Sequence, residues 1–311
     1  MAKASSTRRM IITACAVVSL GAVTACSGGT DAVPGANSDQ QNMQNLLDRA
    51  PVAGDEELAK SPTAQAIKQR GQLLIGGSLE TPLMSQQNPT TGETEGFDAT
   101  LGKLLAKYIL GQPSRKIINT TPAIREALIQ NNTVDMVIQN YSITPARAEK
   151  VAFAGPYLIS SQAIATLKGK PDITKPDQLN GKAVCAATGS TGAKTVRDVA
   201  PQVNLQTFAS DPECVQALEQ DRVAAWVKDQ TVVAGEAKLN DKIQLATGTF
   251  GSDPYGIGIK HGDDTFKKFI NDWLKKVQDA GLWKQAYDES LGTVIPGGAP
   301  AAPAFGSVPG S

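Results

Sequence analysis

Arg147 follows two hydroxyl residues, Ser142 and Thr144, in the stretch YSITPARAEKVAFAGPY, residues 141–157. A guanidinium presents two parallel N–H donors that match a carboxylate, and neighbouring hydroxyls can donate to the lone pairs left over. The group therefore suits a fixed carboxylate; the plain alternative is a surface arginine paired with Glu149. A second set lies in the loop GSTGAKT, where Ser190 and Thr191 precede a helical segment. Backbone N–H groups at a helix start favour an anion. A phosphate loop of the Walker type is a weak match, because Ala193 separates Gly192 from Lys194. A simple helix cap is the alternative there. Glu80, beside Leu79 and Pro82 in the loop after the first strand, is a candidate for the rim of a pocket.

Such groups must be held at strand ends, and the segments around them have the right periods. Short apolar runs alternate with helix-period segments, the pattern of an α/β fold with a largely parallel sheet. Leu73–Gly76 is expected as a strand, and Gly96-Phe97-Asp98 opens a helix with Leu101, Leu104, Leu105, Tyr108 and Ile109 on one face. Thr121-Pro122 supplies a cap and first-turn proline for a helix containing Ile124 and Leu128, and Val134–Gln139 is the strand that delivers the arginine motif. Later come an extended crossing segment, Leu158–Leu167, strands at Ala183–Ala187 and Ala224–Val227, and a helical region Asp264–Leu291 with a stop at Gly281.

The chain of 311 residues has thirty basic and thirty acidic side chains, so bulk charge points to neither nucleic acid nor an anionic membrane. Lys3, Arg8 and Arg9 precede an apolar run, Met10–Leu20, and the small residues Val23-Thr24-Ala25 lead to Cys26. This reads as an export signal over residues 1–25, with an apolar run too short for a mature membrane span. The end of it resembles a bacterial lipobox, which implies that Cys26 is lipidated, with palmitate among its acyl groups, and anchors the mature chain to the outer face of the membrane. Residues 26–61 are expected as a tether and residues 294–311, rich in Pro, Gly and Ala, as a disordered tail. With Cys15 in the signal and Cys26 modified, Cys185 and Cys214 remain. In an oxidising compartment they suit one disulfide; two free thiols are the alternative, and a metal site lacks further ligands.

GFDATLGKLLA, YSITPARAEKVAFAGPY, VCAATGSTGAKTV and AAWVKDQTV occur in the order seen in the polar amino-acid solute-binding proteins of ABC importers, family 3, which the chain resembles from Gln72 to Gly292. The actinobacterial glutamate-binding lipoproteins are similar also in the cysteine pair and lipobox. The resemblance implies a periplasmic-binding-protein-like type II fold, two α/β lobes joined by two crossing strands. One lobe would hold residues 62–157 with 256–293, the other 158–255, and one amino acid would lie between them. It implies that Arg147 clamps the ligand α-carboxylate with help from Ser142, Ser190 and Thr191. Asn140 would offer a backbone carbonyl to the α-ammonium, and Asp229 would pair with that ammonium from the other lobe. Arg125 matches a position where binders of acidic amino acids carry arginine; otherwise it is a solvated arginine paired with Glu126 or Asp135. Lys228 departs from the small polar residue expected before Asp229 and could also neutralise an acidic ligand, leaving glutamate, aspartate and glutamine unranked.

The expected function is thus a monomeric, lipid-anchored binding protein for an acidic amino acid that works with the membrane subunits of an ABC permease. An alternative from another class is a sensor subunit whose closed form docks on a membrane receptor, since both readings use lobe closure. An enzyme is not expected: Asp229 or Glu80 could serve as a general acid, but no nucleophile, histidine base or metal cluster accompanies them. No cofactor is expected.

Overall fold

The computed structural model describes residues 36–170, 173–246 and 248–311. Residues 42–311 form one compact unit, and of residues 1–41 only the start of the helix Ala36–Arg49 is described. The expected signal and Cys26 lie outside the described residues.

The backbone of the unit is a nine-stranded sheet. Its strands are β1 (Leu73–Gly77), β2 (Arg115–Asn119), β3 (Met136–Val137), β4 (Ala152–Leu167), β5 (Ala183–Ala187), β6 (Asn204–Phe208), β7 (Ala225–Asp229), β8 (Ile243–Leu245) and β9 (Phe250–Ile259). Strands β2, β1 and β3 are parallel to one another in one half, and β7, β5 and β6 in the other. Two long strands, β4 and β9, run antiparallel through the middle and join the halves. β9 meets β3 at Gly258–Val137, and β4 meets β7 from Ala165–Trp226 to Gln162–Asp229. Parallel strands put their carboxyl ends on one side, so in each half the loops after β1, β3, β5 and β7 face the gap that β4 and β9 cross.

Local sequence explains most of this. In the helix Phe97–Leu110 all five residues of the expected apolar face are buried. Gly96, at φ 114°, starts it in a conformation closed to other residues, and a Cβ there would stand 2.7 Å from the Leu83 backbone. The C-terminal helical region divides into Asp264–Asp279 and Leu282–Asp288 at Gly281, φ 71°. On β7 the side chains alternate: Trp226 packs with the Cys185–Cys214 disulfide (Cα–Cα 5.6 Å), while Val227 packs with Val184 and Val196 on the opposite face.

Four expectations need correction. The helix expected to start at Pro122 starts at Arg125, because Ile124 N–H donates to Thr121 O (3.2 Å) in a turn that occupies the first positions. The strand expected over Val134–Gln139 is regular only over Met136–Val137; Asp135 and Ile138 N–H still donate to Leu74 O and Gly76 O of β1 (2.9 and 3.0 Å), but beyond them the chain turns into the site loop, where Gln139 Nε2 donates to Thr120 O. The tether expected as far as Ser61 is in fact packed structure from the later turns of the helix Ala36–Arg49 onward: Leu46, Leu47, Ala50, Ala53 and Leu58 are buried, and Ala53 N–H donates to Tyr108 O at 2.8 Å. The tail expected to be disordered from residue 294 is also packed, with Ile295, Ala299 and Phe305 against the main core. A few half-buried apolar side chains spaced through a Pro/Gly-rich segment hold it against the core, each contributing less than the roughly 1.5–3 kcal/mol of a fully covered one.

Candidate functional site

The loop after β3 and the helix Pro145–Ala148 carry the arginine motif. Thr144 caps that helix, its hydroxyl accepting from Arg147 N–H at 3.3 Å, and Pro145 occupies the first turn. Thr144 is thus engaged within the loop. The buried Arg147 guanidinium donates from Nη1 to Ser142 O (2.7 Å) and from Nη2 to Gly189 O (2.9 Å) in the other half. Ser142 Oγ lies 3.3 Å from Thr191 Oγ1, again across the gap. Ser190 caps the helix Thr191–Val199 by accepting from Ala193 N–H at 3.1 Å. Arg147, Ser142, Gly189 and Thr191 therefore surround one spot, with donors on both walls.

The end of β7 supplies the opposite charge. Asp229, buried, accepts from Asn140 Nδ2 (2.9 Å), Gln162 Nε2 (2.8 Å) and Tyr255 OH (2.8 Å). Burial pushes its carboxyl up, but the charge of Lys228 and these three donors outweigh that and hold its pKa below the usual range. Asn140 sits at φ 36°, and its N–H donates to Asp98 Oδ2 at 2.7 Å. Lys228 is buried beside Asp229 and is paired with Asp211 at 3.4 Å, so its charge is already opposed within the protein. Glu80 is exposed and joins none of these contacts.

Arg125 carries an unsatisfied donor, and Gln139 Oε1 and Gln162 Oε1 are buried acceptors without a hydrogen-bond partner among the described residues. Arg125 is buried, donates from Nη1 to Gln139 O (3.1 Å) and lies 3.8 Å above the Tyr141 ring, while its Nε has no hydrogen-bond partner among the described residues. Arg147 approaches the same ring at 5.1 Å. Burial, then the charge of Arg147, pushes the Arg125 pKa down to about 9. The surface pairing with Glu126 or Asp135 does not form: Lys150 takes Glu126 (2.9 Å), and Arg70 takes Asp135.

Four residues of the site were not picked out from the sequence. Gln162 on β4 donates from one nitrogen to both Asp229 and Asp253 (2.5 Å), so the two crossing strands meet through it. Burial, then the charge of Asp229, pushes Asp253 up. Tyr255 holds Asp229, and Asp98 holds Asn140. A polar Gln and an Asp within otherwise apolar strand runs were the available signals. Among the described residues no cluster of His, Cys, Asp or Glu could hold a metal ion, and no helix is long and apolar enough to cross a membrane.

Asp98 gives the site a pH signature. It accepts from Asn140 N–H and from Tyr157 OH (2.9 Å), but complete burial dominates and pushes its pKa up to about 7. Between the ordinary value of 3.8 and about 7, the folded protein holds a proton that the unfolded chain has released. Stability should therefore fall as pH rises through that window and level off above it. Asp211 and Asp253 are shifted in the same direction and add to the slope. In Asp98→Asn the slope should be clearly shallower. Thermal midpoints of unliganded protein at pH 5 and pH 8 test this, and parallel profiles for the two proteins would refute it.

The profile of the bacterial extracellular solute-binding proteins, family 3, matches residues 73–293. The chain is 33% identical over 236 residues to the glutamate-binding protein GluB of Corynebacterium efficiens, covering 72% of this chain and 80% of that one. It is 31% identical over 230 residues to the ABC transporter glutamine-binding protein GlnH of Bacillus subtilis, covering 74% and 84% respectively. Among solved structures, the cysteine-binding protein from Campylobacter jejuni matches with a TM-score of 0.72 at 26% identity, covering 77% of this chain and 96% of that one.

Proposed function

The chain belongs to the bacterial extracellular solute-binding proteins of family 3, and on that premise we propose that it captures glutamate or aspartate outside the cell membrane and delivers it to an ABC importer. Its fold is the type II arrangement of two α/β lobes, and its family is one of transport binding proteins rather than enzymes. In this reading the lobes meet near 157/158 and 255/256, on β4 and β9. Lipidation at Cys26 would keep the protein at the outer face of the membrane, where it works as a monomer.

The ligand zwitterion spans the two walls: its α-carboxylate lies against Arg147, Ser142 and Thr191, and its α-ammonium against Asp229 and the Asn140 carbonyl. Closure then depends on a molecule that carries both charges, because either charge alone leaves one wall unpaired. The acidic preference rests on one observation, the buried Arg125 guanidinium with an unpartnered Nε. A second buried cation next to Arg147 is costly unless an anion reaches it, and Lys228 is already paired with Asp211. The relatives named above do not choose between glutamate and glutamine.

Titration calorimetry with the twenty amino acids decides this. Glutamate or aspartate should bind tightest, and Arg125→Gln should narrow the glutamate-over-glutamine preference by about tenfold or more, as loss of one charged hydrogen bond is worth roughly 1.5–3 kcal/mol. An intact protein that prefers glutamine or a basic amino acid would rule the acidic reading out.

A further inference from the structure

The matched family region ends at residue 293, yet the chain beyond it returns to the site. Ile295, Ala299 and Phe305 pack on the main core. Gly306 N–H then donates to Gly155 O on β4 at 3.0 Å. Val308 packs against a separate apolar cluster that contains Tyr141, Ile143, Val151 and Phe153. A turn closes the segment, with Ser311 donating from Oγ (2.7 Å) and N–H (3.1 Å) to Val308 O. Gly310 lies so near the arginine loop that a Cβ on it would stand 2.8 Å from Ala148 Cβ and 3.4 Å from Ile143 Cγ2.

These contacts fall on the outer side of the loop whose inner side forms the carboxylate site. Ile143 lies between Ser142 and Thr144, and Ala148 follows Arg147. Tyr141, in the cluster that Val308 covers, is the ring over which Arg125 and Arg147 both sit. On its inner side the loop is tied by Ile143 N–H to Pro254 O (2.7 Å), Tyr141 O to Gly256 N–H (2.9 Å) and the Arg147 side chain to Ser142 O and Gly189 O, while residues 144–148 rest on the bonds of a one-turn helix, Arg147 and Ala148 N–H to Thr144 O (3.1 and 2.9 Å). A helix of one turn is marginal without tertiary packing.

We propose that residues 305–311 are a positioning strap that holds the loop 141–148, and through it Arg147, in the geometry that receives the ligand carboxylate. The strap touches no ligand; it raises the fraction of unliganded protein whose loop is ready. That fraction divides directly into apparent affinity, so a loop ready a tenth of the time binds about tenfold more weakly. The inference rests on the reading of that loop as the carboxylate site.

Two variants separate strap from core. A chain stopped after Gly306 keeps the Phe305 anchor and the Gly306–Gly155 bond but loses Val308 and Gly310. Gly310→Val keeps full length but cannot stay in place, since φ is 93° and the added Cβ would meet Ala148. Hydrogen exchange of unliganded protein should show faster exchange at the Ile143, Arg147 and Ala148 amides in both, with β5 and β7 amides still protected. L-glutamate should bind about five- to tenfold more weakly in both, while Val308→Ile should behave as the parent and Val308→Asp as the shortened chain. Unchanged exchange at the three loop amides in both variants overturns the proposal. If the parent does not bind glutamate, the acidic reading fails by itself, and the exchange comparison still decides the strap.

Discussion

Arg147→Ala is expected to weaken amino-acid binding by about 2 to 5 kcal/mol, roughly thirty- to several-thousand-fold in Kd, while both lobes stay folded. The guanidinium has two jobs. It faces the spot where a carboxylate would lie, and it donates to Gly189 O from the opposite lobe. In the proposed reading alanine removes the ligand's main partner, and it also removes one of the contacts between the lobes, so the bound state loses twice. The fold should survive, because the loop is capped by Thr144 and Pro145 and the side chain bridges polar backbone atoms instead of filling the apolar core. Arg147→Lys separates the two jobs: one ammonium keeps the charge but cannot serve Ser142 O, Gly189 O and a bidentate ligand together. It should fall between parent and alanine. Calorimetry with glutamate, beside thermal midpoints of the unliganded proteins, gives the answer. A Kd for Arg147→Ala within threefold of the parent's would remove Arg147 from the site.

The parts of this molecule that were legible in the sequence are those whose cause is local. The face of the helix Phe97–Leu110 is written at i, i+3, i+4 and i+7, and its burial follows from that spacing. The arginine motif is compact in sequence, so Arg147, Ser142 and the cap Thr144 come together through a single loop. What brings Gln162 against Asp229 and Asp253 is different, since these side chains are 67 and 91 residues from it in the chain and meet it only because β4 pairs with β7 on one side and with β9 on the other. No window of sequence contains that arrangement. The ends of the chain show a related limit. Composition averages over a segment, whereas packing needs only Leu46 and Leu47 at one end and Phe305 and Val308 at the other. The average then says tether or tail, and the few large side chains say otherwise.

Asp229→Asn bears on the amine end of the ligand, and its effect should be larger than the loss of one charge suggests. Three N–H or O–H donors, from Asn140, Gln162 and Tyr255, converge on the carboxylate. Asparagine offers one acceptor oxygen, and its NH2 must point at a donor, leaving two buried groups facing each other unpaired. Binding of glutamate should therefore weaken by about 3 to 5 kcal/mol, the range for removing one partner of a buried charge pair. Glutarate, which is glutamate without its α-amino group, supplies the control. The parent should reject it strongly, because closure would bury Asp229 with no ammonium to meet it. In Asp229→Asn that penalty vanishes, so the glutamate-to-glutarate preference should collapse, glutamate binding more weakly while glutarate binding does not fall. The two ligands and two proteins form a thermodynamic cycle whose coupling belongs to the Asp229–ammonium pair alone. Should the variant keep the parent's discrimination between the two ligands, the ammonium does not sit on Asp229, and the zwitterion would have to lie the other way round or elsewhere in the cleft.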